Sequence, residues 1–187
     1  MSKLYTYEEL KNFVDTCFGC QLSKTRNKPV MGKGNLHSPI LFIAEAPGAN
    51  EDRDGIPFTG KSGVVFDECL NHIGLTRDDI YITNVVKCHP PQNRDPLPEE
   101  QERCIEYLRY ETALIKPKVI VCLGRIAAQR IIKYDFKITR EHGQFLERKG
   151  TMLTAVYHPS AVLRDPRKKE DMLKDFEKIR EFAKSTK

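Results

Sequence analysis

The sequence contains no apolar run approaching the ~20 residues of a membrane span. The opening segment, Met1-Ser2-Lys3-Leu4-Tyr5, carries no signal-peptide core and leads straight into a polar helical pattern. Internal repeats, low-complexity tracts and domain linkers are also missing. These absences argue against membrane-spanning and secreted disulfide-scaffold classes, and they predict a cytoplasmic chain whose cysteines stay reduced. Disorder is excluded by composition, since 40% of residues are hydrophobic and 30% charged. With 187 residues, the chain is expected to form a single domain, 1–187, able to bury a core without covalent staples.

Charge is unevenly spread. The formal net charge is +5, but residues 1–100 carry 11 basic and 14 acidic side chains, and residues 101–187 carry 20 and 12. A basic second half permits a polyanionic partner without establishing one.

Strand and helix patterns alternate along the chain. Thr6-x-x-Glu9 is a capping-box signal for a helix through about residue 16, followed by a turn-rich stretch, 17–37. Short apolar runs at 39–44, 80–86 and 119–123 read as buried strands, and helices are expected at about 62–73, 98–115 and 125–133. Lys149-Gly150, between 144–148 and 152–157, predicts a hairpin, and a charged amphipathic helix is expected over 167–184. This alternation predicts an α/β fold: a three-layer α/β/α sandwich around a small, mostly parallel sheet. In such sheets the functional loops lie beyond the carboxyl ends of the strands. Here those are the loops after Ala44, Val86 and Tyr157.

Six cysteines are the next signal. Cys69 and Cys122 fall inside apolar helix and strand patterns and read as small core residues. Cys17-x-x-Cys20 can offer two thiolates from one turn, while Cys88 and Cys104 follow a strand and enter the next helix. Four unrelated thiols, a tetrahedral zinc site and an iron–sulfur cluster all stay open on this spacing, although ligands scattered over two loops and a helix suit the cluster best. The run Gly55-x-x-x-x-Gly60-Lys61-Ser62 also satisfies a phosphate-loop pattern. A phosphate loop should directly follow a buried strand, and here a long Gly/Pro-rich loop, 45–60, is expected to intervene.

Three motifs then carry a resemblance. E-A-P-G-x-x-E-D-x-x-G-x-P-F-x-G-x-x-G over 45–63, T-N-V-V-K-C-x-P-P over 83–91, and H-P-S-x-x-L-R over 158–164 resemble the family 4, iron–sulfur uracil-DNA glycosylases. The resemblance covers Cys17 to Arg164 and includes the four cysteines in order. It implies a 4Fe-4S cluster held by Cys17, Cys20, Cys88 and Cys104, in an iron–sulfur region formed by about 17–37 and 87–104. It also implies a monomeric, monofunctional repair enzyme acting on uracil-containing DNA. A non-enzymatic, metal-stabilised DNA-binding module is the alternative. One departure is Ala44, where the family commonly has glycine before Glu45. A related branch with an Arg-rich loop is disfavoured by the sequence Pro90-Pro91-Gln92-Asn93-Arg94-Asp95-Pro96.

The residue types suit the implied chemistry. Phe58 would be the stacking platform for a flipped base, its ordinary alternative being a core Phe. Asn84 would read uracil, its carbonyl accepting from N3–H and its NH₂ donating to O4; a strand-terminating turn is the alternative. His158 would donate toward the O2 of the departing base, where negative charge collects. Ala44, Glu45 and Ala46 would border the base. The resemblance puts both Glu45 and Glu51 near the base and sugar. A carboxylate such as Glu51 would favour an oxocarbenium-like sugar or position water, as carboxylates do in glycoside hydrolysis, and which of the two does so stays open. Leu163 would enter the duplex gap and Arg164 contact phosphate, against the alternative of a packed helical turn.

Overall fold

The computed structural model describes residues 5–185; the segment Met1–Leu4, read above for a signal core, lies outside them. Its six strands lie in the order β1-β3-β2-β4-β6-β5, where β1 is Lys33–Gly34, β2 Ile40–Ala44, β3 Tyr81–Asn84, β4 Val119–Leu123, β5 Leu146–Arg148 and β6 Thr151–Val156. The four central strands run parallel, and the edge strands β1 and β5 pair antiparallel.

The inner strands are near-continuous apolar runs because both of their faces are covered. Alternate residues of β2 feed two cores. Leu41 and Ile43 pack with Ile105 and Leu108 of α4 (Pro98–Ile115) and with Ala127 of α5 (Arg125–Ile131). Ile40, Phe42 and Ala44 pack with Phe66 and Leu70 of α3 (Lys61–His72) and with Met172 and Phe176 of α8 (Lys168–Ser185). Helices on both faces make the expected three layers. Cys69 and Cys122 sit in these cores with no exposure, and burial pushes both thiols up, Cys69 to about 11. Among the described residues no helix is long and apolar enough to cross a membrane.

The expected capping box is present: Thr6 Oγ1 accepts from the Glu9 N–H at 3.2 Å, and Glu9 accepts from the Thr6 N–H at 2.8 Å, opening α1 (Tyr7–Asp15). The hairpin turns through Lys149 and Gly150, both at positive φ, the conformation a tight two-residue connection needs. One expectation changes. The stretch 45–60 is not all loop, because α2 spans Ala49–Asp54. Its local signals are Glu51 and Asp52 in the first turn and Gly55 in the left-handed conformation at the end. Gly55–Gly60 therefore links two helices, with Lys61 and Ser62 opening the second, which is not the strand-to-helix setting of a phosphate loop.

Candidate active site

A cleft of about 510 Å³ opens beyond the carboxyl ends of the parallel strands. Glu45, Ala46 and Gly48 enter it after β2, Asn84 at the end of β3, Leu123, Gly124 and Arg125 at the end of β4, and His158 after β6. β3 and β4 flank β2 on opposite sides, so the crevice lies where the strand order changes direction, the usual ligand position in an open parallel sheet.

Asn84 faces Ala44 across the parallel β2–β3 pair and is 1% exposed. Its side-chain carbonyl Oδ1 is buried without a hydrogen-bond partner among the described residues. Leaving such an acceptor unsatisfied costs about 1–3 kcal/mol.

His158 caps α7 (Pro159–Arg164). Its Nδ1 accepts the Ser160 N–H at 3.2 Å and lies 2.8 Å from Ser160 Oγ. A nitrogen that accepts a backbone N–H is not protonated, so in the neutral ring the proton is on Nε2. Burial, reinforced by Arg164, pushes the imidazole pKa down to about 4. His158 is thus neutral at pH 7 and has Nε2–H available as a donor. Gly124, at φ 90, allows the close approach: a Cβ there would stand 3.0 Å from His158 Cβ.

Phe58 lies 5.8 Å from the His158 ring, centroid to centroid, and 5.2 Å from Phe66. It is buried at the cleft floor with a left-handed backbone, φ 58, rare for an aromatic residue. Glu51, in the first turn of α2, accepts the Gly60 N–H at 3.1 Å through Oε1.

Glu45 is half-buried. Desolvation, with Asp95 adding to it and Arg125 opposing it, raises its carboxyl pKa from 4.5 to about 7. The folded chain therefore binds this proton more tightly than the unfolded chain. The group's contribution to stability is full below about pH 4.5 and is lost as pH rises through about 7. Glu45→Gln should accordingly be the more stable protein at pH 8, by up to about 2 kcal/mol, and should match the parent near pH 4.5. Urea unfolding at the two pH values checks this.

The cleft thus gathers Glu45, Ala46, Glu51, Phe58, Asn84, His158 and Arg164. Ala44 and Leu163 do not line it. The Ala44 methyl packs in the α3/α8 core beside Phe58, away from the opening, while Leu163 stands half-exposed on α7 next to Arg164. Sequence reasoning missed the β4 end, where Leu123, Gly124 and Arg125 form one wall and Arg125 pairs with Asp95 at 2.6 Å. The available signal was Gly124 at a strand end. The basic residues at 167–169 are engaged with acids: Arg167 and Lys168 with Asp165, and Lys169 with Glu68.

Cys17, Cys20, Cys88 and Cys104 line one small apolar cavity with Arg26, Lys87 and Tyr107. Three of the sulfurs accept N–H donors: Cys17 from Gly19 at 3.3 Å, Cys88 from Arg26 Nη1 at 3.0 Å, and Cys104 from the Lys87 backbone at 3.2 Å. Burial raises the Cys104 thiol to about 12. Among the described residues, no three His, Cys, Asp or Glu side chains form a group placed to hold a metal ion. Lys87 itself is buried. Its Nζ donates to the Asn84 carbonyl at 2.8 Å and to Thr83 Oγ1 at 2.7 Å, and pairs with Glu111.

Residues 31–183 match the model of the Uracil DNA glycosylase superfamily. The chain is 45% identical to a type-4 uracil-DNA glycosylase of Archaeoglobus fulgidus, covering 94% of this chain and 92% of that one. It is 39% identical to one of Thermotoga maritima, over 97% and 98% of the two chains, and 40% identical to one of Sulfurisphaera tokodaii, over 94% and 84%.

Proposed function

Because the chain belongs to the uracil DNA glycosylase superfamily, we propose that it excises uracil from DNA by hydrolysing the bond between deoxyribose C1′ and base N1, leaving an abasic site. The unsatisfied Oδ1 of Asn84 carries this reading: it is a buried acceptor waiting for a ligand N–H, at the end of a strand that opens into the cleft. Uracil N3–H supplies that donor and cytosine N3 does not.

The nucleotide is flipped from the duplex, at a cost of a few kcal/mol. Its base stacks on Phe58, worth ~1–3 kcal/mol, while Asn84 reads N3–H and O4. The neutral His158 directs Nε2–H toward O2, where charge develops as the bond breaks. Glu51, its carboxylate anchored on the Gly60 N–H, faces the sugar and favours its oxocarbenium character or orders the attacking water. Glu45 and Ala46 border the base, and Ala44 supports them from the core. Leu163 fills the gap in the duplex, and Arg164 contacts phosphate.

The residues around the second cavity fit a 4Fe-4S cluster held by Cys17, Cys20, Cys88 and Cys104. Four thiols line one apolar space, and N–H donors face three of the sulfurs, contacts that tune thiolate ligands. The four are spread around that space rather than gathered about a single ion, which suits a multi-iron group better than one metal ion. Held by these four cysteines, such a cluster would tie the turn after α1 to the loop after β3 and to α4 within a single 1–187 domain. Protein purified anaerobically is expected to be brown and to contain iron, and Cys88→Ser to lose both. A colourless, iron-free parent would overturn the cluster assignment.

Duplexes carrying uracil, cytosine or thymine at one position test the function. Abasic sites confined to the uracil duplex support it. DNA binding with no abasic site in any of the three would favour a non-enzymatic, metal-stabilised DNA-binding module.

A further inference from the structure

Phe58 is held by contacts the reaction itself does not need. Its left-handed backbone is strained for an aromatic residue, so the surroundings must impose it. The guanidinium of Arg77, in the segment between α3 and β3, donates to the Phe58 carbonyl at 2.7 Å and to the Pro57 carbonyl at 3.3 Å. The same guanidinium is gripped from behind by Asp67 of α3, at 2.6 and 3.1 Å. Gly63 closes the arrangement from the helix side, since a Cβ there would lie 2.0 Å from the Phe58 oxygen. A planar fork fixed by a carboxylate and spent on two consecutive carbonyls specifies a backbone orientation, which a single flexible donor cannot do.

We propose that Arg77, oriented by Asp67, is a positioning residue for base excision: it fixes the peptide at Phe58 so that the ring is presented as the platform for the flipped base. This rests on the reading of Phe58 above. Arg77 does not line the cleft and touches no reacting atom. It acts only through Phe58.

That restriction gives a sharp test, a double-mutant cycle in uracil excision with Arg77→Met and Phe58→Ala. Loss of the platform depopulates the flipped state, so Arg77→Met should lower kcat by about ten-fold. KM for DNA should hold, because phosphate contacts carry most of the affinity. In the Phe58→Ala background, Arg77→Met should change kcat by less than about two-fold. A general loss of structure would instead lower activity by the same factor in both backgrounds, and that result overturns the proposal. So does a rise in KM at unchanged kcat. Asp67→Asn, which loosens the grip on Arg77 from α3, runs through the same cycle with the same expectation and serves if Arg77→Met fails to fold. If the unsubstituted holoprotein excises no uracil, the function assigned to the cleft fails and takes this inference with it; excision with additive losses defeats the inference alone.

Discussion

Asn84→Ala is expected to reduce uracil excision by about 10³-fold while leaving the fold intact. Two contacts to the base disappear together, the acceptor for N3–H and the donor to O4. A site built to hydrogen-bond its substrate loses far more than one that merely fits it, because the partner groups on the base are then left unpaired in a desolvated pocket. Stability should move the other way or hardly at all. Oδ1 has no partner among the described residues, so truncation removes a buried group that costs free energy in the unliganded protein. The Asn84 main-chain carbonyl keeps its bond from Lys87 Nζ whatever the side chain. Single-turnover excision and thermal unfolding, measured on the same preparation, check both halves. Unchanged excision would remove Asn84 from base reading, and collapse of the fold would show its role to be structural.

His158→Ala should cost about 10²–10³-fold in the rate of bond cleavage, the usual loss when one donor to a developing anion is removed. Its pH behaviour is as telling as its size. The ring is neutral above about pH 4, so the parent should show no inflection at the ordinary histidine value of 6.5 assignable to His158. Protonation of Nδ1 below about 4 forfeits the bond from the Ser160 N–H and the cap it provides, so activity should fall there. An inflection near 7 has a separate source in Glu45 and should vanish in Glu45→Gln while persisting in His158→Ala. Rate profiles of the three proteins between pH 3 and 9 separate these groups. A titration at 6.5 that disappears with His158 would contradict the neutral, Nε2-protonated ring.

The pattern of the sequence carried the sheet and the cleft walls well, for identifiable reasons. Runs such as Ile40–Ala44 and Val119–Leu123 are apolar at every position because helices cover both faces, and that makes buried parallel strands easy to recognise. The loops after Ala44 and Tyr157 stood out because residues of unusual chemistry cluster there. The short helix α2 was hidden: six residues give less than two turns of periodicity, and five of them are charged or amide-bearing. The β4 wall went unseen because Gly124-Arg125 looks like an ordinary helix start.

Long-range partnerships were beyond the sequence altogether. Lys87 reads as one more exposed cation beside Cys88, yet it is 1% exposed against Glu111, a residue 24 positions away. Lysine is almost never fully buried unless paired, and nothing local in T-N-V-V-K-C announces the pair. Arg26 on the Cys88 sulfur and Arg77 on the Phe58 carbonyl are of the same kind, 62 and 19 positions from their partners. Such contacts are set by the folded topology, and only the three-dimensional arrangement exposes them.

The most direct measurement is release of the base itself. Holoprotein incubated with an oligonucleotide holding a single deoxyuridine should yield free uracil by mass spectrometry, in a one-to-one ratio with abasic sites, on a strand that stays whole until alkali is added. Bound DNA with no free uracil, or a strand broken without alkali, would contradict hydrolytic excision at this cleft.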